Sequence, residues 1–260
     1  MTELTPLDQA HAAMMAAPDD DTARLRFYER IADVELFLLL EAEPDDDQIN
    51  PQLFDDAYVI VFDRAARLAE YVGDSAPYVA LSGRAIAAML ADQPLGMAVN
   101  LNVAPSEILL PAGAMQWLRE TLDHTPASVE ARIERVIPPR GLPETLIAAI
   151  DAKLATATGM AAGAWLVGVE YAGGGRGHLL GFVGAIPRAQ DALVRAASEA
   201  LTFSGIEAGA MDIGFFAPND PTVAKLGKVG LRFDLPQGEG LQQTPRLPPG
   251  MDPAKPPILK

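Results

Sequence analysis

The sequence predicts an α+β protein in two parts, an N-terminal mixed-sheet α/β domain followed by a smaller βαββαβ domain. Apolar residues at helical spacing alternate with short, nearly continuous apolar runs of the kind that form buried strands. Hydrophobic residues make up 49% of the 260 residues and charged residues 21%, which is ordinary for a globular protein with a real core. A polar segment at residues 123–129, DHTPASV, separates the two patterns. We therefore expect domains at residues 1–125 and 126–236.

The first part alternates helices with short apolar strands. Pro6 begins an Ala- and Met-rich helix, Asp21 or Thr22 caps a second one, and Asp63 caps a third. The order of elements predicted here is helices at 6–17 and 22–32, strands at 34–40 and 58–62, a helix after 63, a strand at 78–81, a helix after 83, strands at 97–103 and 107–110, and a helix at 112–122.

The second part has the β-α-β-β-α-β order of a ferredoxin-like, split-βαβ domain. Its two middle strands form a hairpin across the loop AGGGRG, whose glycines permit the positive φ values that such turns need. Residues 229–235 add an edge strand. From residue 237 to 260 the chain turns to Pro, Gly and Gln, and we expect a disordered tail. The predicted strands cover residues 131–137, 165–171, 178–185 and 212–216, with helices at 143–156 and 187–203.

Charge and composition exclude several classes of partner. The chain carries 20 Lys and Arg against 35 Asp and Glu, a formal charge of −15, and this field repels nucleic acid and anionic membranes. The absence of cysteine excludes disulfides, thiolate metal sites and cysteine nucleophiles. The first 21 residues lack the basic and apolar regions of a signal peptide, and no apolar run approaches the roughly 20 residues that span a bilayer. We expect a cytoplasmic protein.

Two asparagines stand out on the predicted strand at residues 97–103. Asn100 and Asn102 share one face of an extended strand, although asparagine is a poor strand residue. Beyond a turn at Pro105, Ser106 and Glu107 add further hydrogen-bonding groups. Either this face is solvated, or the polar groups are held there to meet a ligand or a partner.

A second candidate surface lies in residues 204–216, which combine Glu207 and Asp212 with several glycines. If Met211 and Ile213 face the helices, Asp212 and Gly214 face outward on a helix-free side of the sheet, where Gly214 lets a ligand or another backbone approach. This predicts a small-molecule site or a homodimer surface. The alternative is that the segment packs against the N-terminal domain.

No catalytic, metal or cofactor site can be assembled from the sequence. The glycines at residues 173–177 lack the Lys-Ser/Thr and the helix of a phosphate loop. The aspartate runs lack the alternating ligands of a calcium loop, and the three histidines lack metal-pair spacing. His178 shares a face with Glu170 only if the hairpin register permits, and a polar hairpin end is the favoured interpretation. Arg176 in the same loop is able to hold an anion weakly.

Four segments give the chain a family resemblance: PYVALSGRAIAAML, GMAVNLNVAPSEILLP, GHLLGFVGA and FSGIEAGAMDIGFF. Over residues 7–235 the sequence resembles the SseB family, the bacterial enhanced-serine-sensitivity proteins. The resemblance implies an N-terminal and a C-terminal SseB domain and a link to serine tolerance. It implies no reaction and supplies no catalytic residues.

Two functions stay open. The favoured one is a non-catalytic binding or regulatory protein that contacts a protein partner or a small amino-acid-like ligand. The other is an amino-acid-processing enzyme with a polar site around Asn100, Asn102 and Glu107. The enzyme predicts a concave pocket there and at least one carboxylate of raised pKa.

Overall fold

The computed structural model describes residues 3–44, 49–73, 75–123, 133–172, 175–206 and 211–237. These residues form eight α-helices and two mixed sheets, which confirms the predicted α+β class. Residues 124–132, where we expect the domain boundary, and residues 238–260, most of the expected tail, lie outside the described residues. The domain limits therefore stay predictions.

The first sheet has the strand order β4-β1-β3-β5-β6, with β2 paired to β3. Only β3 and β5 run parallel among its pairs. Its elements are α1 (Pro6–Ala16), α2 (Asp21–Asp33), β1 (Glu35–Leu39), β2 (Leu53–Phe54), β3 (Tyr58–Phe62), α3 (Ala65–Val72), β4 (Tyr78–Ser82), α4 (Gly83–Leu90), β5 (Gly96–Val99), β6 (Ile108–Leu110) and α5 (Ala112–Leu122).

Helices cover both faces of this sheet. Strand residues point alternately to opposite faces, so Leu38 packs with Phe27 and other helix residues on one side. Leu39 and Phe62 pack with Leu68 of α3 on the other side. Burial on both faces explains why β1 and β3 are nearly continuously apolar, as the sequence predicted.

Three local predictions in this part were wrong. Asp20, and not Asp21 or Thr22, caps α2 by accepting a hydrogen bond from the Thr22 N–H. The strand predicted over residues 97–103 ends at Val99, because Asn100 and Asn102 adopt positive φ angles of 53° and 57° and turn the chain. Asparagine tolerates this left-handed region, so the amides marked a turn instead of a strand face. Asp63 does not cap α3: the N-cap residue is Arg64, which makes no side-chain cap.

The second sheet has the order β10-β9-β8, and both β7 and β11 pair with the outer edge of β8. Helices α6 and α7 pack on one face and α8 on the other. Its elements are β7 (Ile133–Ile137), α6 (Glu144–Leu154), β8 (Gly163–Tyr171), β9 (Arg176–Val183), a single 3₁₀ turn (Pro187–Ala189), α7 (Gln190–Phe203), β10 (Met211–Phe216), α8 (Pro221–Val229) and β11 (Leu231–Phe233).

The ferredoxin-like pairing of this part was wrong, although the predicted chain order is present. Strands β9 and β10, which α7 connects, are parallel neighbours, whereas a split-βαβ arrangement places another strand between them. Chain order does not decide which strands pair. The long hairpin joins β8 to β9 from Gly163–Val183 to Glu170–Arg176, so β10 takes the remaining edge of β9.

Helix α8 was not predicted, and it changes which surfaces are open. Asp220 caps it by accepting a hydrogen bond from the Thr222 N–H at 2.7 Å, and Pro221 begins it. Leu226 of α8 packs with Val167 and Leu179 on the sheet face that was expected to be free of helices. None of the described helices has both the length and the apolar character needed to cross a membrane.

The two sheet layers meet along α7. Phe203 at its end is fully buried in the core of the first sheet, and its ring lies 6.5 Å from that of Trp117 in α5. Helices α2 and α5 both contact α7. The end of α7 therefore joins the two layers.

Candidate functional site

A network of buried polar side chains lies at the carboxyl end of β3 and β5, which we call the buried polar network. Asp8 on α1 is at its centre. Its carboxylate accepts hydrogen bonds from Arg67 Nη2 and Ser106 Oγ, both at 2.5 Å, and from the Thr5 N–H at 2.8 Å. The members are Thr5, Asp8, Asp63, Arg67, Asn100 and Ser106, all buried.

Asn100 connects Asp63, the second carboxylate of the network, to Ser106 in the turn between β5 and β6. The Asn100 Oδ1 accepts from the Asp63 N–H at 3.1 Å, and its Nδ2 donates to Ser106 Oγ at 2.8 Å. Asp63 also accepts from Arg67 at 2.7 Å and from the Thr5 hydroxyl at 2.6 Å. Among the described residues, no buried side-chain nitrogen or oxygen lacks a hydrogen-bond partner.

Electrostatics in the network favour a structural role over acid–base chemistry. Burial alone would raise the pKa of Asp8, but hydrogen bonds from Arg67, Ser106 and Thr5 outweigh it and lower the pKa to about 2. Burial likewise opposes the charge of Arg67, yet the two carboxylates raise its pKa. The ionised forms are thus held in place, and the network ties α1, α3 and the β5–β6 turn together.

The four residues of the first predicted surface, around Asn100 and Asn102, differ in exposure. Asn100 and Ser106 have no exposed surface, and both bond to protein groups. Asn102 and Glu107 are exposed, and the Asn102 N–H donates to Glu107 Oε2 at 3.2 Å. The structure therefore brings these four residues to one turn but leaves only two of them open to solvent. Their role in binding stays a prediction.

The second predicted surface is also altered. Asp212 is exposed, as expected, and accepts a hydrogen bond from the Tyr171 hydroxyl. The ring of Phe216 and the side chain of Leu179 fill the space beside Gly214, where a Cβ would lie 3.1 Å from the ring. Together with α8, they occupy the face that was expected to be helix-free. Glu207 lies outside the described residues.

A cluster of charged side chains joins the two sheet layers. Lys153 on α6 lies 2.6 Å from Asp33 Oδ2 and 2.9 Å from Glu199 Oε2. Arg84 on α4 donates to Glu199 at 2.9 Å. Burial would lower the pKa of Lys153, but the carboxylates, with Asp33 foremost, raise it. Glu29 completes this inter-layer ion cluster at 3.5 Å from Lys153.

An open cleft of about 600 Å³ lies beside the second sheet, and we call it the C-terminal cleft. The register pairs His178 with Gly168 and Arg176 with Glu170, so Glu170 and His178 do share a face. Gly168 allows Ile137 to approach β8 closely at this edge, since a Cβ there would lie 2.8 Å from Ile137 Cγ1. The cleft volume falls in the range of small-molecule sites.

The C-terminal cleft is lined by both cationic and acidic side chains. Glu170 pairs with Arg176 at 2.8 Å and with Arg135 at 3.5 Å. Arg140 also lines the cleft and forms no ion pair with a carboxylate among the described residues. The His178 Nε2 lies 3.0 Å from the Arg140 carbonyl oxygen. Cationic and acidic groups thus face solvent together.

Sequence reasoning named three members of this cleft but did not assemble it. The sequence alone did not fix the hairpin register that places His178 and Glu170 on one face of the sheet. Arg176 was considered only as a weak anion contact. Arg140 lies in the PPRG segment after β7, and nothing in the sequence places that segment beside β9. In the described part of the chain, no three His, Asp or Glu side chains are arranged to hold a metal ion.

These features define a class: an α+β protein of two helix-covered sheets, with saturated internal ion pairs and an open, charged cleft beside the second sheet. Residues 7–117 match the family model described as the SseB protein N-terminal domain. This part of the chain is similar to an SseB N-terminal domain, which supports membership of the SseB family. The match ends within α5, so a C-terminal SseB domain at residues 126–236 stays a prediction. Comparison with curated proteins and with solved structures gives no match.

Proposed function

We propose that the protein is a non-catalytic binding or regulatory module linked to serine tolerance. One observation carries the proposal. Buried acidic and basic side chains such as Asp8, Asp63 and Arg67 are saturated by one another, whereas Arg140, Glu170 and Arg176 of the C-terminal cleft face solvent. Charged groups that face a concave space are available to a ligand, and saturated buried ones are not.

The family supports the same direction. The SseB family is not a known family of enzymes. A site around Asn100, Asn102 and Glu107 was the alternative basis for an amino-acid-processing enzyme. Asn100 is fully buried, and the carboxylate that shares its network, Asp8, has a lowered pKa where a general acid needs a raised one. The geometry therefore favours binding.

The partner is a small amino-acid-like ligand or a protein, in the cytoplasm. The overall charge of −15 favours a partner with a basic surface and disfavours nucleic acid and membranes. A homodimer through the second sheet would have to use the margin near Asp212, because Leu226 of α8 packs on the middle of that face. The cleft is the more accessible contact for a small molecule.

A thermal-shift screen of the purified protein against the amino acids tests the proposal, with serine and its biosynthetic relatives included. Ligand at about 100 times Kd stabilises the native state by roughly 2.7 kcal/mol, which a melting curve resolves. We expect a shift with at least one amino acid, or saturable capture of one protein in a pull-down. Conversion of an amino acid by the protein, or neither kind of binding, would contradict the proposal.

A further inference from the structure

We propose that the C-terminal cleft is the site at which this protein binds a small α-amino acid. This deepens the proposed function and rests on it. The cleft combines donors for a carboxylate with acceptors for an ammonium group, a combination that another open pocket of the described residues lacks.

The donors fit a carboxylate. Arg140 and Arg176 both line the cleft, and a guanidinium presents its N–H groups in the planar fork that matches a carboxylate. Arg176 already shares one bond with Glu170, while Arg140 has no carboxylate partner in the described residues. A carboxylate that enters the cleft can therefore accept hydrogen bonds from Arg140, which pairs with no carboxylate of the described residues.

The acceptors fit an ammonium group. Glu170 carries four lone-pair sites on two oxygens, and its pairs with Arg135 and Arg176 leave capacity for a further donor. His178 Nε2 lies 3.0 Å from the Arg140 carbonyl oxygen, and because a carbonyl oxygen only accepts, a hydrogen bond there needs Nε2 as the donor. Donors and acceptors side by side match a zwitterion better than a simple anion.

Another open pocket of the described residues lacks this combination. It measures about 440 Å³ and lies between α4 and α5. Its one cation, Arg119, is already paired with Asp92 at 2.8 Å and with Asp123 at 3.3 Å. The other charged residues that line this pocket, Asp92, Glu120 and Asp123, are acidic and exposed. A ligand carboxylate would meet repulsion there, so the C-terminal cleft is the better site.

Equilibrium dialysis with radiolabelled L-serine tests the inference on the full chain. We expect Arg140→Gln and Glu170→Gln each to weaken retention about 10-fold or more, since each removes a charge-assisted hydrogen bond. Arg188→Gln is the matched control: Arg188 is exposed in the same half, outside the cleft, and loses the same charge. We expect it to stay within about twofold of the wild type. Unchanged melting temperatures establish that the variants fold.

Competition separates the ligand classes. Unlabelled L-alanine is expected to displace the label, whereas L-lactate, which lacks the ammonium group, and ethanolamine, which lacks the carboxylate, are expected to compete at least 10-fold less well. Equal competition by inorganic phosphate or L-lactate would overturn the inference in favour of a simple anion patch. Retention unchanged in Arg140→Gln and Glu170→Gln would place the amino acid elsewhere, overturning the inference while the proposed function stands. No retention by the wild type, with saturable capture of a protein, would do the same.

Discussion

Removal of Arg67 is the most informative perturbation of the buried polar network. Arg67 makes three hydrogen bonds to Asp8 and Asp63, and all three side chains are at most 7% exposed. Arg67→Met keeps most of the apolar stem but leaves two carboxylates buried without their cation. Breaking a buried ion pair in this way costs about 3–5 kcal/mol. With an m-value of about 2 kcal/mol/M, the urea midpoint should fall by roughly 2 M.

The two tryptophans make the measurement specific to one half of the chain. Trp117 lies in α5 and Trp165 in β8, so a Trp165→Phe background leaves Trp117 fluorescence to report on the first sheet. The matched control is Arg24→Met, because Arg24 pairs with Asp21 on an exposed helix surface and such pairs contribute about 0–1 kcal/mol. A midpoint shift for Arg67→Met no larger than that of Arg24→Met would refute the reasoning.

Three further results are expected. Asn100→Ala should lower the free energy of unfolding by about 2–4 kcal/mol, since it removes two buried hydrogen bonds at a positive φ. The control Asn102→Ala changes an exposed residue at a similar φ and should cost about 1 kcal/mol. Equal urea midpoints for the two variants would contradict this. The folded-state pKa of Asp8 lies below its unfolded value of 3.8, so ionised Asp8 contributes roughly 2 kcal/mol to the free energy of unfolding. This contribution is present above about pH 4 and is lost as pH falls through 2. Acid titration of the urea midpoint should show this loss in the wild type but not in Asp8→Asn. Glu199→Gln removes one of the carboxylates that pair with buried Lys153, and we expect weaker packing of the two sheet layers, seen as faster limited proteolysis or separated unfolding transitions. The control Glu120→Gln, on the surface, should change neither. A single, unshifted transition for Glu199→Gln would contradict the role of the inter-layer ion cluster.

The order of elements was predictable because each carries a local signal. The apolar runs of β1 and β3, the helical spacing of α5 and the Pro187 start before α7 all lie in short stretches of chain. Pairing is different, since it depends on contacts between distant residues. Nothing near Phe215 indicates that β10 runs beside β9 and not across the sheet.

The candidate sites show the same division between local and distant information. Asn100 and Asn102 were singled out correctly as unusual for a strand, but the reason was a left-handed turn. The burial of Asn100 depends on Asp63, which is 37 residues away, and that of Ser106 on Asp8, which is 98 residues away. Likewise, α8 closes a face that the pattern of β10 alone left open. Local pattern shows that a residue needs an explanation, and tertiary contact supplies it.

Isothermal titration calorimetry of the wild-type protein with L-serine tests the central claim most directly, because one experiment separates binding from turnover. Binding gives heats that diminish with each injection and end when the sites are filled. Turnover gives heat flow that continues after each injection until the substrate is consumed. We expect a saturating isotherm with no sustained heat flow. Sustained heat flow that scales with the concentration of L-serine would contradict it.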